Sequence, residues 1–247
     1  MIVRRPNLRF EKELLRGGTT NRLAAMDEVG RGALAGPVTV GVVVITASIG
    51  RVPPGLADSK LLTPPAREQL VTPIRRWVSE FAVGHASPAE IDAIGIIAAL
   101  RLAGRRALLS LSGPVDAVLL DGNHNYLSEP AVLAAESDDP PLFDLVFERV
   151  RPVEPPVHVK IKADLTCAAV AGASVLAKTE RDRLLVEMHP AHPVYGFAEN
   201  KGYGTPEHVA ALREHGPSAV HRRSWRLPGE EPDLFCESAN LLLAPGA

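Results

Sequence analysis

Residues 23–46 read LAAMDEVGRGALAGPVTVGVVVIT, and this stretch indicates the fold more clearly than any other. A short apolar run at 23–26 ends in the acidic pair 27–28, and a run rich in β-branched residues follows at 37–46. Three glycines lie between the two runs. Two apolar runs joined by a glycine-rich turn are typical of a β-hairpin. We therefore predict two neighbouring strands, with the acidic pair close to the end of the first.

The rest of the chain alternates between strand and helix signals. Proline stands at the start of several helical patterns, where its missing N–H group costs nothing, and Pro73 is expected to break or bend the first of them. Strands that cluster early and then alternate with helices indicate an α/β fold, a mixed sheet flanked by helices. Further strands are predicted at 81–86, 117–120 and 157–163, and helices at 65–77, 88–111, 166–189 and 206–215.

The composition is that of an ordinary globular protein. Apolar residues make up 46% of the 247 residues and charged residues 23%, which excludes disorder of the whole chain. We expect no membrane span, because no apolar stretch approaches the roughly 18 to 20 residues required. We expect no secretory signal, because no apolar segment follows Arg4 and Arg5. Cys167 and Cys236 form neither a zinc set nor a disulfide framework, so a cytoplasmic protein is the simplest expectation.

The distribution of charge is uneven along the chain. The net charge of −2 neither supports nor excludes a nucleic-acid partner. Residues 201–226 are rich in arginine and histidine, so a local basic face is possible. By contrast, 129–154 is acid-rich, and the prolines at 136–156 favour an exposed insertion there.

Carboxylates follow three of the predicted strands, as Asp27 with Glu28, as Asp121 and as Asp164. In an open α/β sheet the strand ends line the crevice where ligands bind. Several carboxylates at one edge would repel one another unless a cation neutralised them, and oxygen ligands suit Mg²⁺ or Mn²⁺. Each acid also has a plain structural explanation, since the Asp-Gly pair at 121 is a turn signal and Asp164 could cap a helix. The shared position at strand ends favours the metal site.

Asp27 and Glu28 are neighbours in one strand, and neighbouring side chains of a strand point to opposite faces. Both cannot therefore reach one metal ion from a regular strand. Either the strand bends at Glu28, helped by Gly30, or Glu28 contributes through its carbonyl oxygen. Asp27 is the firmer ligand of the two.

Gly30, Arg31 and Gly32 place one long cation between two flexible residues, directly after the acids. Glycines let the backbone approach a ligand closely and leave its N–H groups free to bind. A hairpin loop with a solvated arginine is the alternative. The loop does not match phosphate-binding loops of the Walker type, which need a following Lys-Ser or Lys-Thr.

The helix predicted from residue 166 is rich in alanine, glycine and serine, so it can lie very close to the sheet. Ser174 and Lys178 are four residues apart on one helical face and could both point toward a backbone phosphate. The alternative for Lys178 is an ion pair with Asp182, also four residues away. Tyr203, between two glycines, is a candidate for stacking on a sugar or base, although anchoring a turn is the usual role of such a tyrosine.

Several segments, in the same order along the chain, resemble the ribonuclease HII family. The first is DEVGRGALAGPV from Asp27, and the last is HRRSW from His221. The resemblance runs from about Arg22 to Trp225. Between these blocks lie DSK at 58–60, LDG at 120–122, KAD at 162–164, ASVLAK at 173–178 with RD at 181–182, and NKGYGT at 200–205.

The resemblance implies a ribonuclease H-like fold with a helical C-terminal extension. We expect a catalytic core at residues 18–198, which includes the insertion near 129–156, and an extension at 199–247 that contributes to substrate binding. Carried over by position, the resemblance implies four metal-binding and catalytic acids, Asp27, Glu28, Asp121 and Asp164. The ribose 2′-OH would be read by Gly30, Arg31 and Gly32, and the sugar of the following nucleotide would stack on Tyr203. Phosphates would be held by Lys60, Ser174 and Lys178.

The activity implied by the resemblance is that of a metal-dependent endoribonuclease. It would cleave the RNA-containing strand of RNA/DNA hybrids and nick duplex DNA 5′ to an embedded ribonucleotide, leaving 3′-hydroxyl and 5′-phosphate ends. Two ions, Mg²⁺ or Mn²⁺, are expected with substrate. RNA/DNA hybrid and ribonucleotide-containing duplex are the expected partners, and we expect a monomer without a membrane or an obligate protein partner. Arg31 favours type HII over the related type HIII, which usually has lysine there.

The chain departs from the family pattern in two places. The separation of Asp121 and Asp164 is longer than usual because of the insertion, and Ala163 stands where the family commonly has glycine. Two other functions use similar residues: a metal-dependent phosphotransferase acting on small phosphate esters, and a non-catalytic duplex-binding protein. The first usually has an Asp-x-Asp nucleophile pattern, which is absent here. The second should bind duplex equally well without metal.

Overall fold

The computed structural model describes residues 5–16, 18–128 and 155–228. Within these residues, five strands form one sheet in the order β3-β2-β1-β4-β5. The strands are β1 (Leu23–Val29), β2 (Val38–Ile45), β3 (Glu80–Ala86), β4 (Ala117–Asp121) and β5 (Val157–Lys160). The helices are α1 (Arg9–Arg16), α2 (Pro64–Trp77), α3 (Pro88–Leu109), α4 (Ala163–Thr166), α5 (Ala168–Met188), α6 (Phe197–Asn200) and α7 (Pro206–His215).

The sheet is mixed, as the sequence predicts. β1 and β2 form the expected antiparallel hairpin, and β2 pairs antiparallel with β3. On its other side β1 pairs in parallel with β4, which pairs in parallel with β5. The α/β fold class is therefore confirmed, and β1 is the central strand that links the antiparallel and the parallel halves.

Both faces of the sheet are covered by helices. Side chains alternate along β1, so Leu23 and Ala25 pack with α2 and α5 while Ala24 and Met26 pack with α3. The helices begin at ordinary N-terminal signals. The Ser87 side chain accepts a hydrogen bond from the backbone of Glu90, and the Glu90 carboxylate accepts one in return from the backbone of Ser87.

Helix α5 lies very close to β2, as its small residues predict. A Cβ atom placed on Gly41 of β2 would come within 2.5 Å of the Ala173 carbonyl oxygen and 3.0 Å of the Ala177 Cβ. No side chain larger than hydrogen fits at Gly41 without a shift of the helix. This contact places the face of α5 that carries Ser174 directly over the strands that carry the acids.

The structure corrects the predicted strand at 157–163. It ends at Lys160, because Lys162 adopts a left-handed backbone conformation (φ 55°) and a short helical turn, α4, follows. Asp164 therefore lies on a helical turn and not at the end of a strand. The helix predicted at 65–77 does end at Trp77, but it continues through Pro73, which does not break it. Helices α1 and α6 were not predicted.

The C-terminal part of the described chain packs against the hairpin through a separate apolar cluster. Phe197 and Leu212, on α6 and α7, contact Ala35 of the hairpin loop and Leu185 near the end of α5. Residues 129–154, which make up nearly all of the predicted insertion, and residues 229–247 lie outside the described residues, as does Cys236. Among the described helices, none has the length and apolar character needed to cross a membrane.

Candidate active site

Parallel pairing of β1 and β4 brings two of the predicted acids to the same edge of the sheet. Met26 pairs with Leu120, so Asp27 and Asp121 follow side by side at the carboxyl ends of the two strands. The Asp121 carboxylate accepts hydrogen bonds from the backbone N–H groups of Ala163 (2.6 Å) and Asp164 (3.3 Å). Asp121 therefore holds the α4 turn in place, and with it the third acid, Asp164.

Asp27 is buried under helix α5. Burial raises the pKa of the Asp27 carboxyl well above its ordinary value; a hydrogen bond from the Ser174 side chain opposes this shift, and the charges of Glu28 and Asp121 add to it. Ser174 is itself buried and shares a hydrogen bond with the hydroxyl of Ser59 (2.9 Å between the two oxygens). Ser174 thus faces Asp27 from helix α5, in the buried layer between the helix and the sheet.

Glu28 lies on the opposite face of β1 from Asp27. The pairing of β1 with β2 continues without interruption through Val29, so no bulge at Glu28 turns both side chains to one side. Burial, together with the negative charge of Asp121, raises the pKa of Glu28. Of the two routes by which Glu28 could reach a metal ion, the uninterrupted strand favours the carbonyl oxygen.

The short 3₁₀ turn Ser59–Leu61 supplies a cation to the site. The Lys60 ammonium lies 3.5 Å from the Asp164 carboxylate, and three carboxylates, Asp27, Asp58 and Asp164, outweigh desolvation and raise the pKa of Lys60. Asp58 begins the turn by accepting a hydrogen bond from the Lys60 backbone N–H (3.0 Å). Burial, and the nearby charge of Asp164, raise the pKa of Asp58. Asp58 is a fifth acid at this edge, which sequence reasoning did not single out.

The residues at this edge fit a hard divalent cation. In the parts of the chain that the structure describes, no three acid, cysteine or histidine side chains are already grouped around one point as metal ligands. Instead the Asp27 carboxylate accepts a hydrogen bond from the Glu28 backbone N–H (2.9 Å), Asp121 is bonded to backbone amides and Asp164 pairs with Lys60. The donor set is nevertheless entirely oxygen, and burial raises the pKa of Asp27, Glu28 and Asp121. Such acids gain from a positive charge placed among them.

An open groove of about 430 Å³ lies beside the acids. It brings together most of the residues predicted to contact substrate, although they come from distant parts of the chain. Ser174 does not line the groove, since it is buried between α5 and the sheet. The lining residues are Glu28, Val29, Gly30, Arg31, Gly32, Ser59, Lys60, Lys178 and Tyr203.

Two buried arginines hold the loop that carries Gly30, Arg31 and Gly32. The Arg222 guanidinium donates hydrogen bonds to the carbonyl oxygens of Gly30, Arg31 and Gly36. The Arg181 guanidinium donates to the carbonyl oxygens at 35, 37 and 201, and so ties the loop to the turn that carries Tyr203. Sequence reasoning missed both roles. Both arginines lie within segments that resemble the family, but nothing in their spacing indicates burial.

Lys178 takes the ion pair that the sequence offered as an alternative and also faces the groove. Its ammonium lies 2.7 Å from the Asp182 carboxylate, which Arg67 contacts from the other side at 3.3 Å. The same ammonium lies 5.1 Å from the centre of the Tyr203 ring, and the Arg181 guanidinium lies 5.2 Å from it. Tyr203 therefore rests against two cations at the wall of the groove.

Comparison with known proteins points to one family. A sequence model described as Ribonuclease HII matches residues 24–227. A protein named Ribonuclease HII from Streptomyces coelicolor is 49% identical over 203 residues, which cover 82% of this chain and 76% of that protein. Another of that name from Thermus thermophilus is 42% identical over 219 residues, which cover 87% of this chain and 92% of that protein.

The fold is also similar to that of a solved structure. The crystal structure of the ribonuclease H2 from Pyrococcus horikoshii OT3 superimposes with a TM-score of 0.61 at 27% sequence identity. The match covers 83% of this chain and 94% of that one. Similarity in sequence and similarity in fold therefore agree.

Proposed function

The chain belongs to the ribonuclease HII family, and from this premise we propose that it nicks duplex DNA 5′ to an embedded ribonucleotide by a two-metal-ion mechanism. As a member of this family it is a metal-dependent endoribonuclease of the ribonuclease H class, which acts on RNA/DNA. The proposal adds the position of the cut, the number of ions and the residues that take part. The products would carry 3′-hydroxyl and 5′-phosphate ends.

The observation that carries the proposal is that the acids and the loop with Gly30 and Gly32 lie at the same edge of the sheet. Asp27 lies near the end of β1 and Asp121 is the last residue of the neighbouring parallel strand β4, and the backbone of Asp164 is bonded to Asp121. The loop with Gly30 and Gly32 follows Asp27 directly and lines the adjoining groove. A ribose held against this loop would thus lie beside the acids.

The acids Asp27, Asp121 and Asp164, with Glu28 through its carbonyl oxygen, would hold the metal. Mg²⁺ and Mn²⁺ both suit such oxygen ligands. When bound, two such ions would supply the Lewis acidity that activates a water and stabilises the leaving 3′-oxygen in an in-line displacement. Ser174 is assigned to orient Asp27, which replaces its expected contact with a phosphate, because its hydroxyl is buried beside that carboxylate, between α5 and the sheet.

Substrate recognition is assigned to the groove. Backbone groups of Gly30, Arg31 and Gly32 would contact the 2′-OH, the group that distinguishes RNA from DNA. Tyr203 would stack on the sugar of the following nucleotide, supported from behind by Lys178 and Arg181. Lys60 is exposed at the edge of the groove and would meet a backbone phosphate. The described part of the extension at 199–247 contributes through Tyr203.

The experiment that tests the proposal uses a labelled DNA duplex with one ribonucleotide, incubated with Mg²⁺, Mn²⁺ or EDTA. We expect a metal-dependent nick immediately 5′ to the ribonucleotide. Asp121→Asn should abolish cleavage and preserve the fold, because asparagine keeps an oxygen for the Ala163 N–H while losing the charge. Glu68→Gln, a change of an exposed acid on α2, serves as the control and should cleave normally.

Other outcomes of these experiments would change the proposed function or the residues assigned to it. Cleavage of long RNA/DNA hybrid alone would preserve the acids but overturn the roles of the Gly30–Gly32 loop and of Tyr203. Normal activity of Asp121→Asn would overturn the metal site. Binding of duplex without metal and without cleavage would favour a non-catalytic duplex-binding protein, and turnover of a chromogenic phosphate ester would favour a phosphotransferase.

A further inference from the structure

The turn that carries Tyr203 is bonded to a pair of buried histidines outside the groove. The Tyr203 carbonyl oxygen lies 2.9 Å from Nδ1 of His208, on helix α7. Nε2 of His208 lies 3.0 Å from Nε2 of His221. At the far end, Nδ1 of His221 accepts a hydrogen bond from the backbone N–H of Ser218 at 3.0 Å. The two rings therefore form a continuous bridge between two backbone groups.

The two ends of this bridge determine which nitrogen carries each proton. A carbonyl oxygen can only accept, so Nδ1 of His208 carries a hydrogen and its Nε2 is bare in the neutral ring. A backbone N–H can only donate, so Nδ1 of His221 is bare and its Nε2 carries the hydrogen. His221 then donates to His208, and His208 donates to Tyr203. Every contact is satisfied when both rings are neutral.

An additional proton disturbs this arrangement. On His208 it would set two N–H groups against each other between the two rings. On Nδ1 of His221 it would lie against the Ser218 N–H, with only the Ser218 hydroxyl, 2.9 Å away, as an acceptor. The surroundings also disfavour positive charge, since the rings of Tyr195 and Phe197 pack against both histidines. Burial lowers the pKa of both rings, and for His221, where His208, His192 and Arg223 add to the effect, to about 4.

The histidine bridge contacts the Tyr203 turn through its backbone and not through the Tyr203 ring. The Tyr203 ring lies against Lys178 and Arg181. Its backbone N–H donates to the Asn200 carbonyl (3.0 Å), within the turn itself. The carbonyl oxygen of Tyr203 accepts a hydrogen bond from the Thr205 backbone N–H (2.8 Å), and it is also bonded to His208 on helix α7. The histidine bridge is therefore the contact that ties this peptide to a side chain outside the turn.

We propose that His208 and His221 are positioning residues that hold Tyr203 at the angle needed to test the sugar after the ribonucleotide. They touch no substrate, and they act as a neutral pair with one defined direction of hydrogen bonding. The proposal rests on the role of Tyr203 given under the proposed function. Its consequence is that loss of the bridge reduces discrimination between substrates more than it reduces cleavage itself.

Nitrogen-15 NMR of the full chain tests the bridge directly. We expect the Nδ1–H form for His208, the Nε2–H form for His221, and no titration of the His221 ring between pH 8 and about 5. The opposite form of either ring, or titration of either near pH 6.5, would overturn the proposal.

Kinetics test the consequence for substrate choice. The readout is the ratio of kcat/KM on a single-ribonucleotide duplex to kcat/KM on a long hybrid. His208→Phe should lower this ratio about tenfold, whereas His208→Asn, whose amide can still donate to the Tyr203 carbonyl, should stay within about threefold of the native ratio. His215→Phe is the matched control and should leave the ratio unchanged. A purely structural role for His208 would lower both activities equally and leave the ratio constant, which contradicts the proposal.

A double-mutant comparison separates this inference from the proposed function. Tyr203→Ala should itself lower the ratio, and adding His208→Phe should lower it no further. If Tyr203→Ala shifts the ratio and His208→Phe does not, only the inference about the histidines is wrong. If Tyr203→Ala leaves the ratio unchanged, the role of Tyr203 is wrong, and the positioning role falls with it.

Discussion

The Arg222 guanidinium donates a 2.6 Å hydrogen bond to the carbonyl oxygen of Gly30, a residue 192 positions earlier in the chain. The same group donates to Arg31 (3.0 Å) and Gly36 (3.1 Å), and its side chain is fully buried. Desolvation lowers the pKa of Arg222, and the carbonyl dipoles compensate for the charge. The glycine loop beside the acids is thus held by the last segment of the described chain.

Arg222→Lys should weaken both the loop and the fold. An ammonium cannot reproduce the planar fork that spans three carbonyl oxygens, so buried acceptors lose their partners at a cost of about 1–3 kcal/mol. We expect urea unfolding to show a loss of this size and kcat/KM on a single-ribonucleotide duplex to fall at least tenfold. Arg223→Lys is the control, because the Arg223 side chain is exposed. Equal losses of stability and of kcat/KM in the two variants would contradict the role of Arg222 in holding the loop.

Gly30 and Gly32 should differ in their tolerance of alanine. Gly30 has a φ of +85°, and a Cβ there would come within 2.1 Å of Nε of Arg181. A Cβ at Gly32 would meet nothing within 4 Å. We expect Gly30→Ala to lose about 2 kcal/mol or more of stability, since strain and a displaced buried arginine add together. Gly32→Ala should unfold within about 0.5 kcal/mol of the native chain, and a comparable loss in both variants would refute the assigned contact.

Divalent metal should stabilise the folded protein without substrate. Burial and mutual repulsion raise the pKa of Asp27 and Asp121, so a cation among them relieves an unfavourable arrangement. Binding to the folded state alone raises stability by about 2.7 kcal/mol at a metal concentration a hundred times Kd. We expect Mn²⁺ to raise the Tm in a thermal scan and EDTA to reverse the rise. The increase should be much smaller in Asp27→Asn, and an undiminished increase there would place the metal elsewhere.

Glu11 should make stability depend on pH. This buried residue of α1 accepts a hydrogen bond from the Ala169 backbone N–H at the start of α5 (2.9 Å), and burial raises its pKa from 4.5 to about 7. The folded state therefore binds the proton more tightly than the unfolded state does. The Glu11 carboxyl contributes roughly 3 kcal/mol to the free energy of unfolding. This contribution is complete below pH 4.5 and is lost as the pH rises toward 7.

Glu11→Gln should remove this contribution. The difference in unfolding free energy between the native chain and the variant should change by most of this amount between pH 5 and pH 8, measured in urea. Glu13→Gln, at an exposed position of the same helix, provides the comparison and should show a constant difference. If the Glu11→Gln difference is also constant across this range, the carboxyl does not titrate as stated.

Much of the fold was predictable because its signals are local. The hairpin follows from two apolar runs and the glycines between them, and the α/β class follows from the alternation of later segments. The closeness of α5 to β2 follows from alanine and glycine in the helix, and Gly41 on the strand completes it. The strand predicted at 157–163 was too long because Lys162 leaves the extended conformation. Nothing in the local pattern of apolar residues indicates that change.

The supporting residues of the site were not predictable from local pattern. Arg181, Arg222, Glu11 and the pair His208–His221 are buried, although their residue types are usually exposed or half-exposed. Arg181, Arg222 and Glu11 bond to backbone groups far away in sequence, as when Arg222 binds Gly30, whereas His208 and His221 bond to each other across 13 residues. Asp58 was quoted only as part of a motif, and its place beside Asp164 depends on the turn Ser59–Leu61 meeting α4.

The α/β class, the hairpin, the candidate acids and the resemblance to a family follow from the sequence, because apolar periodicity, glycine and ligand chemistry act over a few neighbouring residues. The packing of the folded chain places Asp164 on a helical turn and Ser174 beside Asp27. It also places buried arginines and histidines against the loop and the Tyr203 turn. These arrangements satisfy polar groups removed from water. Which groups are removed from water, and which partner each then finds, depends on the packing of the whole chain.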